Sequence, residues 1–318
     1  MDIQQAKLAV IAAGKRLVDT GLIARTWGNV SARVSDTQFV ITPSGKAYDS
    51  LTPDDIVLVN IADMSYEGDV KPSSEKAVHA KAYQLRPHVG FVIHTHQYYA
   101  SIVSVMGQTV TVDAQWKDVL GESVPIAAYG LPSTNKLTKG VTDALAANPQ
   151  VKAVIMAHHG TICVGTDEED TFNVADVLEQ QCRTWLQAHG VADLPVQSQE
   201  SPAVEKADGT WVIHSKTPAM LQVSKAHKKL LPYLDDFAQI AGAKLTTKQG
   251  NCSAMLMPGD GALCFGSSLD EAQAVETVVD KNCAVALAAS KFGKAKPLGW
   301  LDAAFMRVYY VQKYSKKK

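Results

Sequence analysis

Apolar residues recur at helical spacing from Ile3 to Thr20 (Ile3, Leu8, Ile11, Ala12, Leu17, Val18), and Gly21 follows as a C-terminal stop. Three short β-rich runs come next, Gln38–Thr42, Ile56–Ile61 and Phe91–His96, set apart by turn clusters such as Pro43–Lys46 and Tyr66–Asp69. Between the second and third runs, Ser74 and Glu75 open a helical stretch, EKAVHAKAYQL, that stops before Pro87. The pattern predicts a further helix over Ser133–Ala147, capped by Ser133 or Thr134. It then predicts strands at Ala153–Ala157 and Ile162–Val164 around a tight turn, and a long helix over Glu168–Ala188. This is a mixed α/β pattern with antiparallel strands at that turn.

After His189 the chain turns polar, with two prolines and two glycines in GVADLPVQSQESPAVEKADG, and reads as a linker or long surface loop. A short strand at Trp211–His214 and a helix over Ala219–Ala241 are expected beyond it. Then AVIMAHHGTICVG returns in degenerate form as AMLMPGDGALCFG, at an offset of 254 − 153 = 101, which aligns Cys163 with Cys264 and Cys182 with Cys283. An internal duplication is the expectation. Two domains follow from this, residues 1–200 and a degenerate accessory repeat at 201–318, ending in a solvated YSKKK tail.

Hydrophobic residues make up 46% and charged residues 20%, which excludes a disordered or fibrous chain. Lys plus Arg number 31 against 32 for Asp plus Glu, so no basic excess points to nucleic acid. No apolar run has the length of a membrane span, and the N-terminus does not read as a secretion signal. Five cysteines without a C-x-x-C pair argue against a disulfide framework and a zinc knuckle. A cytoplasmic protein is the expectation.

The candidate chemistry lies in histidines. His94 and His96 end an apolar strand, and the period of 2 turns both imidazoles to one side, at chelating distance. His159, at the turn after another apolar strand, is a third candidate, with His158 pointing elsewhere. Three histidines and one open position are the pattern of catalytic zinc. His79, one helical turn after Glu75, supports either a role behind the ligands or a plain helix-face position. Three small-residue turns, Gly28–Ser31, Thr42–Gly45 and Pro72–Glu75, offer backbone N–H groups and hydroxyls, and Ser73 and Ser74 open a helix whose dipole attracts anions. Together they read as a phosphate cradle, although each turn alone is also what Asn, Ser, Pro and Gly build anywhere.

In order and spacing, GNVSAR, ITPSGKAYDSLTPDDIV, KPSSEKAVH, FVIHTH, PIAAYG and AHHGTICVG resemble the class II aldolase/adducin family, especially its fuculose-phosphate aldolase branch, over roughly residues 5–190. The resemblance implies a three-layer fold with a central, mainly antiparallel sheet flanked by helices. It also implies zinc, or another divalent metal, on His94, His96 and His159, with Glu75 as acid/base group. A substrate phosphate would lie against Gly28, Asn29, Ser44, Gly45, Ser73 and Ser74. Tyr129 matches the tyrosine that the family offers to a neighbouring subunit, typically in a tetramer. The implied activity is aldol cleavage of a ketose 1-phosphate to dihydroxyacetone phosphate and an aldehyde. Alternatives are a sugar-phosphate 4-epimerase, which Glu75 in place of the usual Asp disfavours, a metal-dependent decarboxylase of a sugar-like acid, and a non-catalytic adducin-like module. The chain departs from the family's small aldolases in continuing about a hundred residues further. There Asp260 stands where His159 stood, so a metal-free half-repeat is expected.

Overall fold

The computed structural model describes residues 1–191, 201–293 and 295–313; the expected YSKKK tail and residues 192–200 of the expected linker lie outside these. The chain divides into two compact units. The first is Met1–Ala100 with Gln108–Trp185, and the second is Ser101–Gly107 with the chain from Leu186 onward.

In chain order the elements of the first part are α1 (Ile3–Asp19), β1 (Asn29–Arg33), β2 (Gln38–Ile41), β3 (Val57–Asn60), α2 (Lys76–Leu85), β4 (Phe91–Thr95), α3 (Tyr98–Val103) and β5 (Val110–Thr111). They continue with α4 (Lys117–Leu120), β6 (Ser123–Val124), β7 (Ile126–Ala127), α5 (Asn135–Ala147), β8 (Ala153–Met156), β9 (Thr161–Gly165) and α6 (Glu168–Ala188). The central sheet has seven strands in the order β3-β2-β1-β4-β9-β8-β7. Every neighbouring pair in it is antiparallel except β7–β8. The expected mainly antiparallel sheet flanked by helices is therefore present.

Local chemistry sets the helix starts. Asp2 accepts from the Gln5 N–H at 2.8 Å and closes a capping box on α1. The buried stripe of α1 is Ala6, Val10, Ile11, Ala13, Gly14 and Leu17, while Leu8 and Val18, read as apolar-face positions, are exposed. The small residues let α1 close on the sheet: a Cβ at Gly14 would stand 2.2 Å from a ring carbon of Tyr48. Thr134 caps α5 by accepting from Leu137 N–H, as expected. Val78, Ala82 and Tyr83 of α2 and Leu137 and Leu145 of α5 pack with Phe39, Ile41, Val92 and Val164 of the sheet. Val40, Phe91, Ile93 and Cys163 alternate to the opposite side and are also buried.

The second part contains β10 (Ala203–Glu205), β11 (Trp211–Ser215), α7 (Pro218–Ala226), β12 (Lys229–Leu230), α8 (Asp235–Ile240), β13 (Leu245–Thr246), β14 (Ala254–Leu256), β15 (Ala262–Gly266), α9 (Leu269–Ala289) and α10 (Trp300–Lys313). Its main sheet runs β10-β11-β15-β14, antiparallel throughout. Two expectations are corrected here. The stretch read as linker contains β10, and the helix expected over Ala219–Ala241 is two helices. The first ends at Ala226, Lys229–Leu230 then pair with Leu245–Thr246 as β12 and β13, and Pro232, with no N–H for a helical ladder, lies in the break before α8.

Candidate active site

The ends of β1, β4 and β9 bring the site together. The strand register sets Asn29 opposite His94 and His94 opposite Ile162. Segment 28–31, read from the sequence as a turn, is instead the start of strand β1. Close backbone approach explains two glycines. A Cβ at Gly28 would stand 2.6 Å from the His94 carbonyl oxygen, and one at Gly160 would stand 2.2 Å from the Thr95 carbonyl oxygen and 2.9 Å from the His94 ring. The β8–β9 turn carries His158 at a positive φ of 63°, which swings the chain so that His159 faces β4.

His94, His96 and His159 converge as the sequence predicts, with one ring nitrogen from each within 4.8 Å of the others. The His94 and His159 rings stack at 4.9 Å, and His96 Nε2 lies 3.0 Å from His94 Nε2. His94 Nδ1–H donates to the Thr161 carbonyl at 2.9 Å, which leaves the Nε2 lone pair facing its partners. Glu75 completes the cluster. Its Oε2 lies 3.2 Å from His94 Nε2 and its Oε1 lies 3.2 Å from His159 Nε2, with the side chain only 8% exposed. Glu75 stands at the N-cap position of α2, yet its carboxylate makes no capping hydrogen bond. Burial pushes that carboxyl up, and the imidazoles of His94, His159 and His96 outweigh it and hold the group below the ordinary carboxylate range. Nitrogen lone pairs and a carboxylate aimed at one point repel one another unless protons or a cation sit among them. The donor set therefore fits a divalent metal with an open position.

Behind Glu75 runs a chain of hydrogen bonds that couples it to the core. Taken in the sense that satisfies every partner, Tyr83 O–H donates to Ser31 Oγ at 2.8 Å and Ser31 O–H donates to His79 Nδ1 at 2.7 Å. His79 Nε2–H then donates to Asn29 Oδ1, and the Asn29 amide donates to Glu75 Oε2 at 3.4 Å. Of the two positions left open for His79, the structure gives the one behind the acidic group. Burial, reinforced by the His94 charge, lowers its pKa from 6.5 to about 3. Because the unfolded chain takes up this proton first, stability should fall as pH drops from about 6.5 towards about 3, at about 1.4 kcal/mol per pH unit for this one group. A His79→Leu variant should show a denaturation slope shallower by that amount over this window; parallel pH profiles would mean that His79 is not held neutral.

Two of the three turns expected to form a cradle lie side by side. Pro43 and Pro72 form a bridge, Ser44 N–H donates to Lys71 O at 2.9 Å, and Ser73 N–H donates to Thr42 O at 2.9 Å. These two amides were expected to face an anion and are instead spent on joining the loops. Ser73 Oγ accepts from Glu75 N–H at 3.2 Å, and Ser74 Oγ accepts from Ser133 O–H at 2.7 Å. Among the described residues, the Gly45 and Ser74 N–H groups and the hydroxyl protons of Ser44, Ser73 and Ser74 remain to donate to a ligand. Tyr129, half-buried just beyond β7, packs edge-on against His158 at 5.3 Å, with Lys136 over its ring at 5.9 Å. Asn29 was expected only as a phosphate contact; its bond to Glu75 could not be found from a sequence separation of 46 residues.

The fold is shared with known proteins. Residues 8–186 match the Class II Aldolase and Adducin N-terminal domain, and the chain belongs to that family. Among curated relatives, the chain is 28% identical over 207 residues to the 5-deoxy-D-ribulose 1-phosphate aldolase of Bacillus thuringiensis, covering 64% of this chain and 96% of that one. It is 32% identical to the L-fuculose phosphate aldolase of Escherichia coli K12, covering 60% and 90%. A similar match, 32% over 59% of this chain and 87% of the other, is to an L-ribulose-5-phosphate 4-epimerase of Salmonella paratyphi B. A solved L-fuculose 1-phosphate aldolase superposes with a TM-score of 0.55 at 28% identity over 61% of this chain and 90% of that chain. Among the described residues no helix is long and apolar enough to cross a membrane.

Proposed function

We propose that the protein is a divalent-metal-dependent aldolase, with zinc as the metal, that cleaves a ketose 1-phosphate between C3 and C4. The observation that carries this reading is the buried Glu75 carboxylate, 3.2 Å from both His94 and His159 and free of any capping duty. A cation on His94, His96 and His159 supplies electrophilic stabilisation of the charge that develops on the substrate's carbonyl and hydroxyl oxygens. Glu75 returns a proton to C3 of the dihydroxyacetone phosphate half after cleavage, and removes it in the condensation direction. Asn29, oriented by His79, holds the carboxylate in place for both tasks. The Tyr129 phenol serves the aldehyde-side oxygen from a neighbouring subunit of a homo-oligomer, with a tetramer favoured. The unreacting phosphate rests on Ser44, Gly45 and Ser74 beside the start of α2 and supplies binding energy for orientation.

The similarity to a 4-epimerase supports a second reading, in which the same bond is broken and remade without release of fragments. A product screen of metal-loaded protein on several ketose 1-phosphates, pentulose 5-phosphates and keto acids separates the outcomes. Dihydroxyacetone phosphate and an aldehyde are expected; a 4-epimer or carbon dioxide would replace this reading with another. The cradle has its own test. Ser44→Ala and Ser74→Ala should each raise KM for a phosphorylated substrate by roughly 10–100-fold, because one charged hydrogen bond lost costs about 1.5–3 kcal/mol. Metal content should not change. Equal KM values in variant and parent would place the phosphate elsewhere.

A further inference from the structure

The second unit repeats the first in its hydrogen bonding as well as in its sequence. In the first, β8 and β9 pair Ala153 with Cys163 and Ile155 with Thr161; 101 positions on (254 − 153), β14 and β15 pair Ala254 with Cys264 and Leu256 with Ala262. The turns agree as well. Met156 N–H donates to Gly160 O and Met257 N–H to Gly261 O, while His158 and Gly259 share a positive φ, 63° and 72°.

The strand before them also returns, at a different spacing. β4 pairs with β9 through His94–Ile162, and β11 pairs with β15 through His214–Leu263. This makes His214 the counterpart of His94 (214 − 94 = 120) and aligns FVIHTH with WVIHSK. The second unit is 19 positions shorter over this stretch (120 − 101), chiefly because the first carries β7 and α5 before β8 where the second has only residues 247–253 before β14. Two buried polar links repeat with both offsets at once. Asp113 N–H donates to Gln181 Oε1 at 2.7 Å and Tyr233 N–H to Asn282 Oδ1 at 2.8 Å. Gln97 Nε2–H donates to Glu179 Oε2 at 3.5 Å, and at the same two offsets Thr217, the N-cap of α7, donates its O–H to Asp280. Unrelated strand–turn–strand–helix units have no reason to share side-chain bonds across segments this far apart.

By this alignment His94, His96 and His159 correspond to His214, Lys216 and Asp260. Those three side chains are also together. Lys216 Nζ lies 2.6 Å from Asp260 Oδ1, and His214 Nε2 lies 3.2 Å from Asp260 Oδ2. His214 Nε2–H donates to the Asp260 carbonyl at 2.8 Å, so the nitrogen that His94 leaves bare carries a proton here. We infer that the second unit is a shortened copy of the metal-binding half of the first, in which the Lys216 ammonium, held by Asp260, takes the place of the divalent cation. Among the described residues of the copy nothing corresponds to α2. Its ancestral ligand geometry is retained, and restoring two histidines restores a metal site.

This inference rests on the proposed metal site of the first unit, so the test counts metal with that site present and removed. Full-length protein, the His94→Ala/His96→Ala variant, and that variant carrying Lys216→His and Asp260→His are equilibrated with zinc, desalted and analysed for metal per chain. The expected values are about one, none and one equivalent, with zinc held by three imidazoles in the last. Circular dichroism reports whether each variant is folded. A folded four-substitution variant that binds no zinc overturns the inference. Zinc retained by His94→Ala/His96→Ala and lost when His214→Ala is added overturns it without recourse to the engineered site, because it would place a metal in the second unit as it stands. Absence of zinc from the parent together with one equivalent in the four-substitution variant would refute the first site's reading and leave the inference standing.

Discussion

A His94→Ala/His96→Ala protein is expected to lose its stoichiometric divalent metal and to turn over at least roughly 10³-fold more slowly, since the cation supplies several kcal/mol of charge stabilisation. An open catalytic site has three protein anchors, and this variant keeps one. The loss should be one of chemistry more than of folding. Sheet pairing at this point runs through the backbone, with His94 opposite Asn29 on one side and Ile162 on the other, and alanine leaves those bonds intact. His94 is nevertheless 2% exposed and its Nδ1–H bonds to Thr161, so a modest stability loss of about 1–2 kcal/mol accompanies the change. Elemental analysis checks the claim; full metal occupancy in the folded variant would remove these histidines from the ligand set.

Glu75→Gln should lower turnover by roughly 10²-fold or more while metal content stays near that of the parent. Glutamine preserves the shape of the side chain and can still accept from the Asn29 amide, but it cannot take up a proton from carbon. At a helix start, a carboxylate is ordinarily suspected of capping. Here that explanation fails on geometry, because the N-cap side chain of α2 makes no capping bond and both its oxygens face imidazoles. Melting temperature should therefore shift by no more than about 4 °C. A Gln variant with near-parental turnover would return Glu75 to a structural role.

The convergence of three histidines was legible in the sequence because it is written locally. His94-Thr95-His96 ends a run that is apolar enough to be a buried strand, and His159 follows another. The helix starts at Thr134 and Ser74–Glu75 were equally legible from short polar residues ahead of periodic apolar ones. Strand β1 was not, because Gly28-Asn29 opens it with turn residues and its pairing is with β2 and β4, supplied from elsewhere in the chain. The same holds for the chain from Tyr83 to Glu75, whose members lie 46–52 residues apart across the bonds that join strand β1 to helix α2. That the Ser44 and Ser73 loops lie side by side, each spending its amide on the other, was not legible, because the bonds join segments about 30 residues apart. In the second unit, His214 sat in no visible motif because Lys216 had replaced the second histidine and a length change shifted the offset from 101 to 120. Strand register recovers what the alignment of letters had lost.

Glu75 is expected to move a proton at C3 of dihydroxyacetone phosphate, and exchange of that proton with solvent tests this without an aldehyde. Zinc-loaded protein and dihydroxyacetone phosphate in deuterium oxide, followed by proton NMR, should show loss of about one carbon-bound proton at C3, with the rate reduced by roughly 10²-fold in Glu75→Gln. Fully metallated protein that leaves every carbon-bound proton of dihydroxyacetone phosphate unexchanged would contradict the account.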